Sequence, residues 1–417
     1  MQRREPKRIL FAWELGGNLG HIAKYLPLLR VLHQRGHDVL FASKDVELAE
    51  RLLRNEGIPH IQAPIVTRFK GKIREPASFA DVLAELGFAE ADTLSGLISG
   101  WRSLMTLYKP DVLVAEYAPA AQIAAGLHSV KCLRLSTGFE CPPDITPFPL
   151  FRPWLKLSEE DRLTRERQLL SNLNAVCTRQ GAAQFSSLQK ALNPDLSLMA
   201  TLPELDHYGN RKGANYIGPM YTLEDGLTCN WPAHPGIRIF AYIRPYPELP
   251  HMLDALRNSM ANVLAVVPGI SAEKIAEYSS ERFRIFSEQL KLAHLMQDMD
   301  LAITHGGHGL AGAFLIQGVP TLTVPTNIEQ WMVSNRLVRL GIGNQITRNR
   351  VKVDFAGCLS QMIGSSIYGD RARSIAKRYA GYKPDRVVQR IANTIERLPE
   401  SVNTRNLNFS SGATTIH

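Results

Sequence analysis

Short runs of β-branched and aromatic residues alternate with longer helical stretches along this sequence. In the first half the helical patterns include Ile22–Gln34 and Val46–Asn55, and Gly57 and Pro59 end the second of them. Strands separated by helices predict a parallel, doubly wound α/β sheet. The strand candidates of this half are Arg8–Trp13, Asp38–Ala42, His60–Ala63, Asp111–Glu116 and Lys131–Ser136.

The same alternation starts again after a turn-rich stretch at residues 207–235. Helical patterns here include Leu310–Gln317 and Gln330–Leu340. Two Rossmann-like domains in series would direct the carboxyl ends of both sets of strands into a central cleft, where open α/β sheets bind ligands. The strand candidates of the second half are Arg238–Ile243, Asn262–Val267, Arg282–Phe286, Leu301–His305 and Thr321–Val324.

The changes in the strand and helix pattern also predict where the domains begin and end. Residues 384–398 read as a last amphipathic helix, and the polar segment after it lacks the apolar residues needed for a core. We predict a first domain over residues 1–208, a linker over 209–235, a second domain over 236–383, a terminal helix over 384–400 and a flexible tail over 401–417.

Composition narrows the class of protein. Hydrophobic residues make up 45% and charged residues 21% of the 417 residues, which excludes a disordered or fibrous protein. Five scattered cysteines, never at C-x-x-C spacing, indicate neither a disulfide framework nor a zinc site and favour a reducing compartment. We find no signal peptide and no run of about 20 apolar residues, so we expect a cytoplasmic protein.

The net charge of +9 favours anionic partners. Two interpretations stay open: diffuse charge on a solvated surface, and peripheral association with the inner face of a membrane. No K/R-rich block with interleaved aromatic residues and no nucleic-acid module is present, so we expect no nucleic-acid partner.

The most informative motif lies in the second half, where a buried strand at residues 301–304 ends at His305-Gly306-Gly307 and a helix follows. Glycines at such a turn let backbone N–H groups approach an anion. The helix N-terminus adds roughly half a positive charge, which suits a phosphate group. His305 can donate a further hydrogen bond, so the turn predicts a phosphate site.

The run from His305 to Gln330 resembles the nucleotide-sugar signature of inverting glycosyltransferases of the GT-B fold. That family includes plant secondary-metabolite, macrolide and glycopeptide glycosyltransferases, and its pattern is H-G-G, G-x-P and P-x-x-x-[DE]-Q. Here Gly318-Val319-Pro320 supplies the second element, and Glu329-Gln330 closes the third. The resemblance implies that His305 contacts the donor diphosphate and that Glu329 and Gln330 bind the hydroxyls of the donor sugar.

The sequence departs from the family pattern at three positions. Leu310 and Ala311 stand where the family usually has Ser or Thr, and Ala313 stands where many members have a glutamate that binds the ribose hydroxyls. Loss of that glutamate favours a dTDP donor, which lacks the 2′-hydroxyl, while UDP and GDP remain alternatives. Arg244 replaces the usual Gly-Ser/Thr loop; it is either a charged substitute for the lost hydroxyls or an exposed loop arginine.

A glycine-rich turn in the first half, from Glu14 to Gly20, leads to His21 at the start of a helix. A helix N-terminus disfavours the imidazolium form and leaves a neutral ring that can accept a proton. This segment resembles the first βαβ unit of the same family, in which the histidine after the loop is the catalytic base. A carboxylate commonly orients such a base. Glu116, at the end of its strand, is our candidate, with Glu14 and Glu140 as alternatives.

These observations predict an inverting glycosyltransferase that transfers a sugar from a nucleotide diphosphate sugar to an acceptor hydroxyl. A catalytically silent partner or activator protein is the alternative, and a sugar-nucleotide epimerase is a third. We expect no cofactor and no metal requirement, since no D-x-D motif occurs where a metal-dependent transferase needs one. The site residues that we predict are His21 and Glu116 for catalysis and Gly17, Arg244, His305, Gly306, Gly307, Gly309, Glu329 and Gln330 for donor binding.

The acceptor side is predicted at residues 64–108 and 140–200. A small-molecule or lipid-like acceptor suits their mixture of basic and apolar side chains, which is equally typical of an ordinary surface with loops. The side chains concerned are Arg68, Lys70, Lys72, Arg74, Phe88, Trp101, Phe139, Phe148, Phe151 and Trp154.

Overall fold

The computed structural model describes residues 5–17, 20–66, 75–346 and 354–400. The predicted tail at 401–417 and the basic side chains of residues 68–74 lie outside this part of the chain. Within it, no helix is long and apolar enough to cross a membrane. The five cysteines are all described, and all are free.

The first sheet has six parallel strands in the order β3-β2-β1-β4-β5-β6. Strand β1 lies between β2 and β4 and is buried at every position after Arg8. A parallel sheet covered on both faces requires such a continuous apolar run. The strands are β1 Arg8–Trp13, β2 Asp38–Ser43, β3 His60–Gln62, β4 Val112–Glu116, β5 Lys131–Ser136 and β6 Leu196–Met199.

The helices of the first half include one that the sequence pattern joined incorrectly. The predicted helix Ile22–Gln34 is two helices, because Pro27 lies in the first turn of the second and cannot continue a helix that begins at Gly20. The helices are α1 Gly20–Ala23, α2 Leu26–Gln34, α3 Val46–Leu53, α4 Phe79–Leu83, α5 Ala91–Tyr108, α6 Pro119–Leu127, α7 Glu159–Arg179 and α8 Leu188–Ala191.

The second sheet repeats the arrangement, with six parallel strands in the order β12-β11-β10-β7-β8-β9. Its strands are β7 Arg238–Tyr242, β8 Asn262–Val266, β9 Phe283–Phe286, β10 Leu301–Thr304, β11 Thr321–Thr323 and β12 Gly343–Gln345. Its helices are α9 Leu249–Asn258, α10 Ala272–Tyr278, α11 His308–Gln317, α12 Ile328–Arg339, α13 Phe355–Ile363, α14 Ser366–Ala376 and α15 Pro384–Arg397.

The predicted fold class is confirmed: the chain forms two Rossmann-like α/β units with parallel sheets. All ten predicted strands are present, with ends within one residue of those predicted. The edge strands β6 and β12 and the long helices α5 and α7 were not predicted. The domain boundaries at residues 208, 235 and 383 stay predictions.

The terminal helix α15 returns to the first half of the chain. Its buried side chains Ile391 and Ile395 belong to the hydrophobic core around the first sheet. The carboxylate of Glu396 accepts a hydrogen bond from Arg35 at 2.8 Å and lies 3.0 Å from Nε2 of His37. The last helix therefore connects the two halves of the molecule.

Candidate active site

A cavity of about 550 Å³ lies between the two halves, at the carboxyl ends of their strands. Residues of both halves line it, as expected for paired open α/β sheets. Eight of the predicted site residues face it: His21, Arg244, His305, Gly306, Gly307, Gly309, Glu329 and Gln330. Of the other two, Glu116 lies behind His21, and Gly17 is exposed and does not line the cavity.

His21 is held by groups from two neighbouring strands. Trp13 ends β1 and is paired in register with Glu116 at the end of β4. The imidazole stacks on Trp13, with ring centroids 5.1 Å apart, and its Nδ1 lies 2.9 Å from Oε1 of Glu116. Because Nδ1 is engaged by the carboxylate, Nε2 is the ring nitrogen left for chemistry.

The glycine that this arrangement requires is Gly16. Its φ of +88° is in the left-handed region, and a Cβ there would overlap the imidazole of His21. A Cβ at Gly17, by contrast, would meet no atom within 4 Å, so no described residue demands glycine at that position. The turn thus supports His21 through Gly16. The donor-binding role of Gly17 stays a prediction that the geometry of the cavity does not favour.

Two residues that the sequence analysis missed complete the surroundings of Glu116. Nζ of Lys24 lies 2.7 Å from Oε1, and the hydroxyl of Tyr25 donates to Oε2. Burial alone would raise the pKa of Glu116, but Lys24 and His21 outweigh it and lower the pKa to about 2. The spacing of three and four residues from His21 could have indicated both residues.

The alternative carboxylates have other environments. Glu14 accepts hydrogen bonds from the backbone N–H groups of Ala120 at 3.0 Å and Ala121 at 2.6 Å, so it caps α6. Burial raises the pKa of Glu14 to about 8. Glu140 is also buried, and burial together with the charge of Glu116 raises its pKa to about 7. Neither is hydrogen-bonded to His21 in the described part of the chain.

Across the cavity, His305 follows β10 at the predicted glycine turn. Gly306 has a φ of +81°, and a Cβ at Gly307 would come within 2.8 Å of Nε2 of His305. Burial, with a smaller contribution from the charge of Arg244, lowers the pKa of His305 to about 4. Its buried Nδ1 has no hydrogen-bond partner among the described residues. The ring is therefore a neutral group with an unused polar atom.

Gln330 and Glu329 lie in the first turn of α12, which Asn327 caps by accepting a hydrogen bond from the backbone N–H of Gln330 at 2.9 Å. The side-chain carbonyl of Gln330 accepts from the backbone and hydroxyl of Thr326, at 2.9 and 2.8 Å. Its NH₂ group thus remains available to a ligand. Burial raises the pKa of Glu329 to about 7, while the charge of Lys24 opposes the shift.

Comparisons with known proteins agree with this geometry, although no family model matches the sequence. The NDP-glycosyltransferase YjiC of Bacillus subtilis is 22% identical, with 80% of this chain and 83% of the relative covered. A PGL/p-HBAD biosynthesis rhamnosyltransferase of Mycobacterium bovis is 23% identical, with 95% and 89% covered. The solved structure of CalG4, the calicheamicin glycosyltransferase, has a TM-score of 0.69 at 16% identity, with 95% and 99% covered.

The chain has the GT-B fold and resembles nucleotide-sugar glycosyltransferases. The resemblance favours a glycosyltransferase over the two alternatives raised by the sequence, a silent partner protein and an epimerase.

The departures from the family pattern lie in and beside α11, in the second half of the chain. Leu310 lines the cavity with an apolar side chain, whereas Ala311 and Ala313 are fully buried. Arg244 also lines the cavity and makes no hydrogen bond or ion pair with the described residues. Arg244 therefore lies at the cavity and not on a remote loop.

His308 is a further cavity residue that the sequence analysis missed. It begins α11, and its Nε2 lies 2.7 Å from the hydroxyl of Thr201 in the first half of the chain. Its ring stacks on His207, with centroids 5.6 Å apart, and burial lowers its pKa well below the ordinary value. Only its position beside the H-G-G motif could have signalled it.

The prediction about acceptor-side aromatic residues is wrong in part. These residues are buried in the core around the first sheet and do not line the cavity. The residues concerned are Phe88, Trp101, Phe139, Phe148 and Phe151; Trp154 alone of the set is exposed and packs edge-on against Trp331.

The described residues contain no cluster of His, Cys, Asp or Glu suited to holding a metal ion.

Proposed function

We propose that the chain is a glycosyltransferase that inverts the anomeric centre of the donor sugar in one displacement, with His21 as the general base. The observation that carries the proposal is the pair formed by His21 and Glu116. Nδ1 is tied to the carboxylate at 2.9 Å, and the imidazole faces the cavity that His305 lines from the other half. A nucleophilic hydroxyl needs such a base near pH 7.

In the proposed step Glu116 accepts the Nδ1–H of His21, which places the lone pair on Nε2. The acceptor hydroxyl gives its proton to Nε2 while its oxygen forms a bond to the anomeric carbon. The bond from that carbon to the diphosphate oxygen breaks, and its electron pair leaves with the nucleoside diphosphate. Since the pKa of Glu116 is about 2, the carboxylate stays ionised and stabilises the imidazolium that forms.

The departing diphosphate gains negative charge, and the second half of the chain supplies groups to stabilise it. Gly307 and the N-terminus of α11 line the cavity beside His305, and Arg244 adds a permanent positive charge. In this proposal these groups neutralise the leaving group without a metal ion. Glu329 and Gln330 bind the hydroxyls of the donor sugar.

The donor in this proposal is a thymidine diphosphate sugar. The glycosyltransferase VinC, solved in complex with dTDP, has a TM-score of 0.61 at 17% identity to this chain, with 94% of this chain covered. Ala313 contributes no carboxylate that could hold a ribose 2′-hydroxyl. For the acceptor we propose a small molecule or lipid-like alcohol, in keeping with the PGL/p-HBAD biosynthesis glycosyltransferases among the relatives.

Replacement of His21 tests the proposed mechanism. We expect His21→Ala to lower kcat by about 10²–10⁴-fold, because the acceptor hydroxyl loses its base. Nucleoside diphosphate affinity should not change, since the diphosphate site lies in the other half of the cavity. Transfer rates, calorimetric titration and the anomeric configuration of the product by NMR are the measurements.

A matched control is His33→Ala, in α2 and away from the cavity, which should leave turnover unchanged. Turnover of His21→Ala within a few-fold of the parent would remove His21 from the mechanism. A product that retains the donor configuration would contradict the single displacement.

A further inference from the structure

We infer that Lys24 is a positioning residue of the transfer reaction, which sets the basicity of His21 through the carboxylate that the two side chains share. The inference rests on the proposed role of His21 as the base. Nζ of Lys24 and Nδ1 of His21 lie 2.7 Å and 2.9 Å from the same oxygen, Oε1 of Glu116. Oε1 of Glu116 is thus the shared partner of Lys24 and His21.

The other oxygen of Glu116 is also engaged. The hydroxyl of Tyr25 contacts Oε2 and lies 2.8 Å from the backbone carbonyl of Leu135. The Glu116 side chain is only 2% exposed, and that of Lys24 is 14% exposed. The ammonium lies 5.0 Å from the centroid of the Tyr25 ring. Lys24 is therefore a desolvated cation held beside the base, and not a solvated surface lysine.

This placement has a direct electrostatic consequence for His21. A carboxylate that interacts with the imidazole alone would stabilise the imidazolium strongly and raise the pKa of the ring. The ammonium of Lys24 offsets part of that negative charge and also repels a positive ring. In a site shielded from water both effects act with little screening. Lys24 thus limits how strongly Glu116 stabilises the imidazolium form of His21.

Other ionisable groups surround the base, and they determine how the inference can be tested. Tyr117 follows β4 with its ring centroid 6.2 Å from that of His21, and burial keeps it neutral by raising its pKa well above 10. Lys44, after β2, donates to the carbonyl of Gly16 at 2.8 Å. Glu140 and Glu329 each have a pKa of about 7. Because these two carboxyl groups titrate in the range of a histidine, a rate profile alone would be ambiguous.

The direct test is an NMR titration of the His21 imidazole in the free, full-length protein. Lys24→Met and Lys24→Gln remove the charge, and Lys24→Arg keeps it. Lys131→Met is a matched control, because Lys131 forms a similar ion pair with Asp195 at 2.9 Å on the first sheet but does not line the cavity. We expect both neutral variants to raise the His21 midpoint by about one pH unit. The arginine variant and the control should keep the parental midpoint.

Kinetics supply a second readout that a purely structural lysine would not move. The acidic limb of kcat/KM should shift to higher pH in the neutral variants and return in Lys24→Arg, with unchanged affinity for dTDP and UDP. An unmoved His21 midpoint would overturn the inference. Weaker diphosphate binding would also overturn it, by making Lys24 a donor ligand, and so would failure of both neutral variants to fold.

The titration separates this inference from the proposed function, because it needs no turnover. If His21→Ala retained activity, the proposed base would be lost while the coupling between Lys24 and His21 could still be measured. If His21→Ala were inactive and the midpoint unmoved, only the inference about Lys24 would fail.

Discussion

At the scale of single residues, the second half of the cavity presents two side chains with complementary properties. His305 is neutral near pH 7, because burial and the charge of Arg244 lower its pKa to about 4, and its Nδ1 is unpartnered among the described residues. Arg244 is a permanent cation without a partner in the described part of the chain. A diphosphate would satisfy both groups.

We therefore expect His305→Ala and Arg244→Ala each to weaken nucleoside diphosphate binding. A hydrogen bond to a charged group contributes about 1.5–3 kcal/mol, so each loss should be at least ten-fold in Kd by calorimetry. Arg257→Ala, on the exposed face of α9, is the control and should bind as the parent does. Unchanged affinity in Arg244→Ala would show that this residue does not contact the diphosphate.

The low pKa of His305 adds a pH dependence to the same variants. A bound diphosphate favours the imidazolium form and raises the pKa of the ring, so binding takes up a proton at mildly acidic pH. Affinity in the parent should then rise as the pH falls from about 7 toward 5. His305→Ala should lose that rise, and the difference between the two profiles excludes contributions of Glu140 and Glu329.

At the scale of elements, α11 determines which atoms meet the donor ribose. The helix is buried on nearly all sides, and Ala313 packs in an apolar cluster with Phe240 and Phe314. The position that carries a glutamate in many relatives thus faces the core here and offers no carboxylate to the cavity. Leu310 is the apolar side chain that α11 does present.

From this we expect dTDP to bind at least as tightly as UDP. A site without the ribose-binding carboxylate gains little from a 2′-hydroxyl, and burying an unpaired hydroxyl costs about 1–3 kcal/mol. Calorimetric titration with UDP, dUDP and dTDP separates the sugar from the base methyl group. UDP binding about ten-fold more tightly than dUDP and dTDP would show that another group holds the 2′-hydroxyl.

At the scale of the whole molecule, α15 joins the last part of the chain to the first core. Ile391 is 1% exposed in the core around the first sheet, although it follows the second sheet by many residues. Hydrogen bonds from Arg35 to Asn393 and Glu396 hold the helix against α2. The stability of the first domain therefore depends on the end of the chain.

Ile391→Ala should lower the free energy of unfolding by about 2–5 kcal/mol, because it leaves a cavity in a close-packed core. Hydrogen exchange should show lost protection in α2 and β1 while the second sheet keeps its protection. The control is Ile367→Ala on α14, where the side chain is 57% exposed and the change should stay within about 0.5 kcal/mol. Loss of protection confined to the second sheet would contradict the expected role of α15.

The central strands and the chemistry of the glycine turns could be predicted from local sequence patterns. Strand β1 is a continuous apolar run after Arg8 because both faces of a parallel sheet are covered, so its ends could be predicted to the residue. The H-G-G motif is also a local signal, because the glycine turn and the beginning of the helix lie within a few residues of each other. Strand β12 escaped prediction because Gly343, Asn344 and Gln345 have low strand propensity and pair only through their backbone with β11.

Which side chains contact His21 depends on the packing of distant segments of the chain, which local sequence patterns do not show. The sequence offered Glu14, Glu116 and Glu140 as partners of His21, and the choice follows from the pairing of β4 beside β1, with Glu116 opposite Trp13. Strand order is a long-range property that no local pattern encodes. The same holds for Lys24: its spacing from His21 is visible in the sequence, but its contact with Oε1 of Glu116 arises only when two distant segments of the chain pack together.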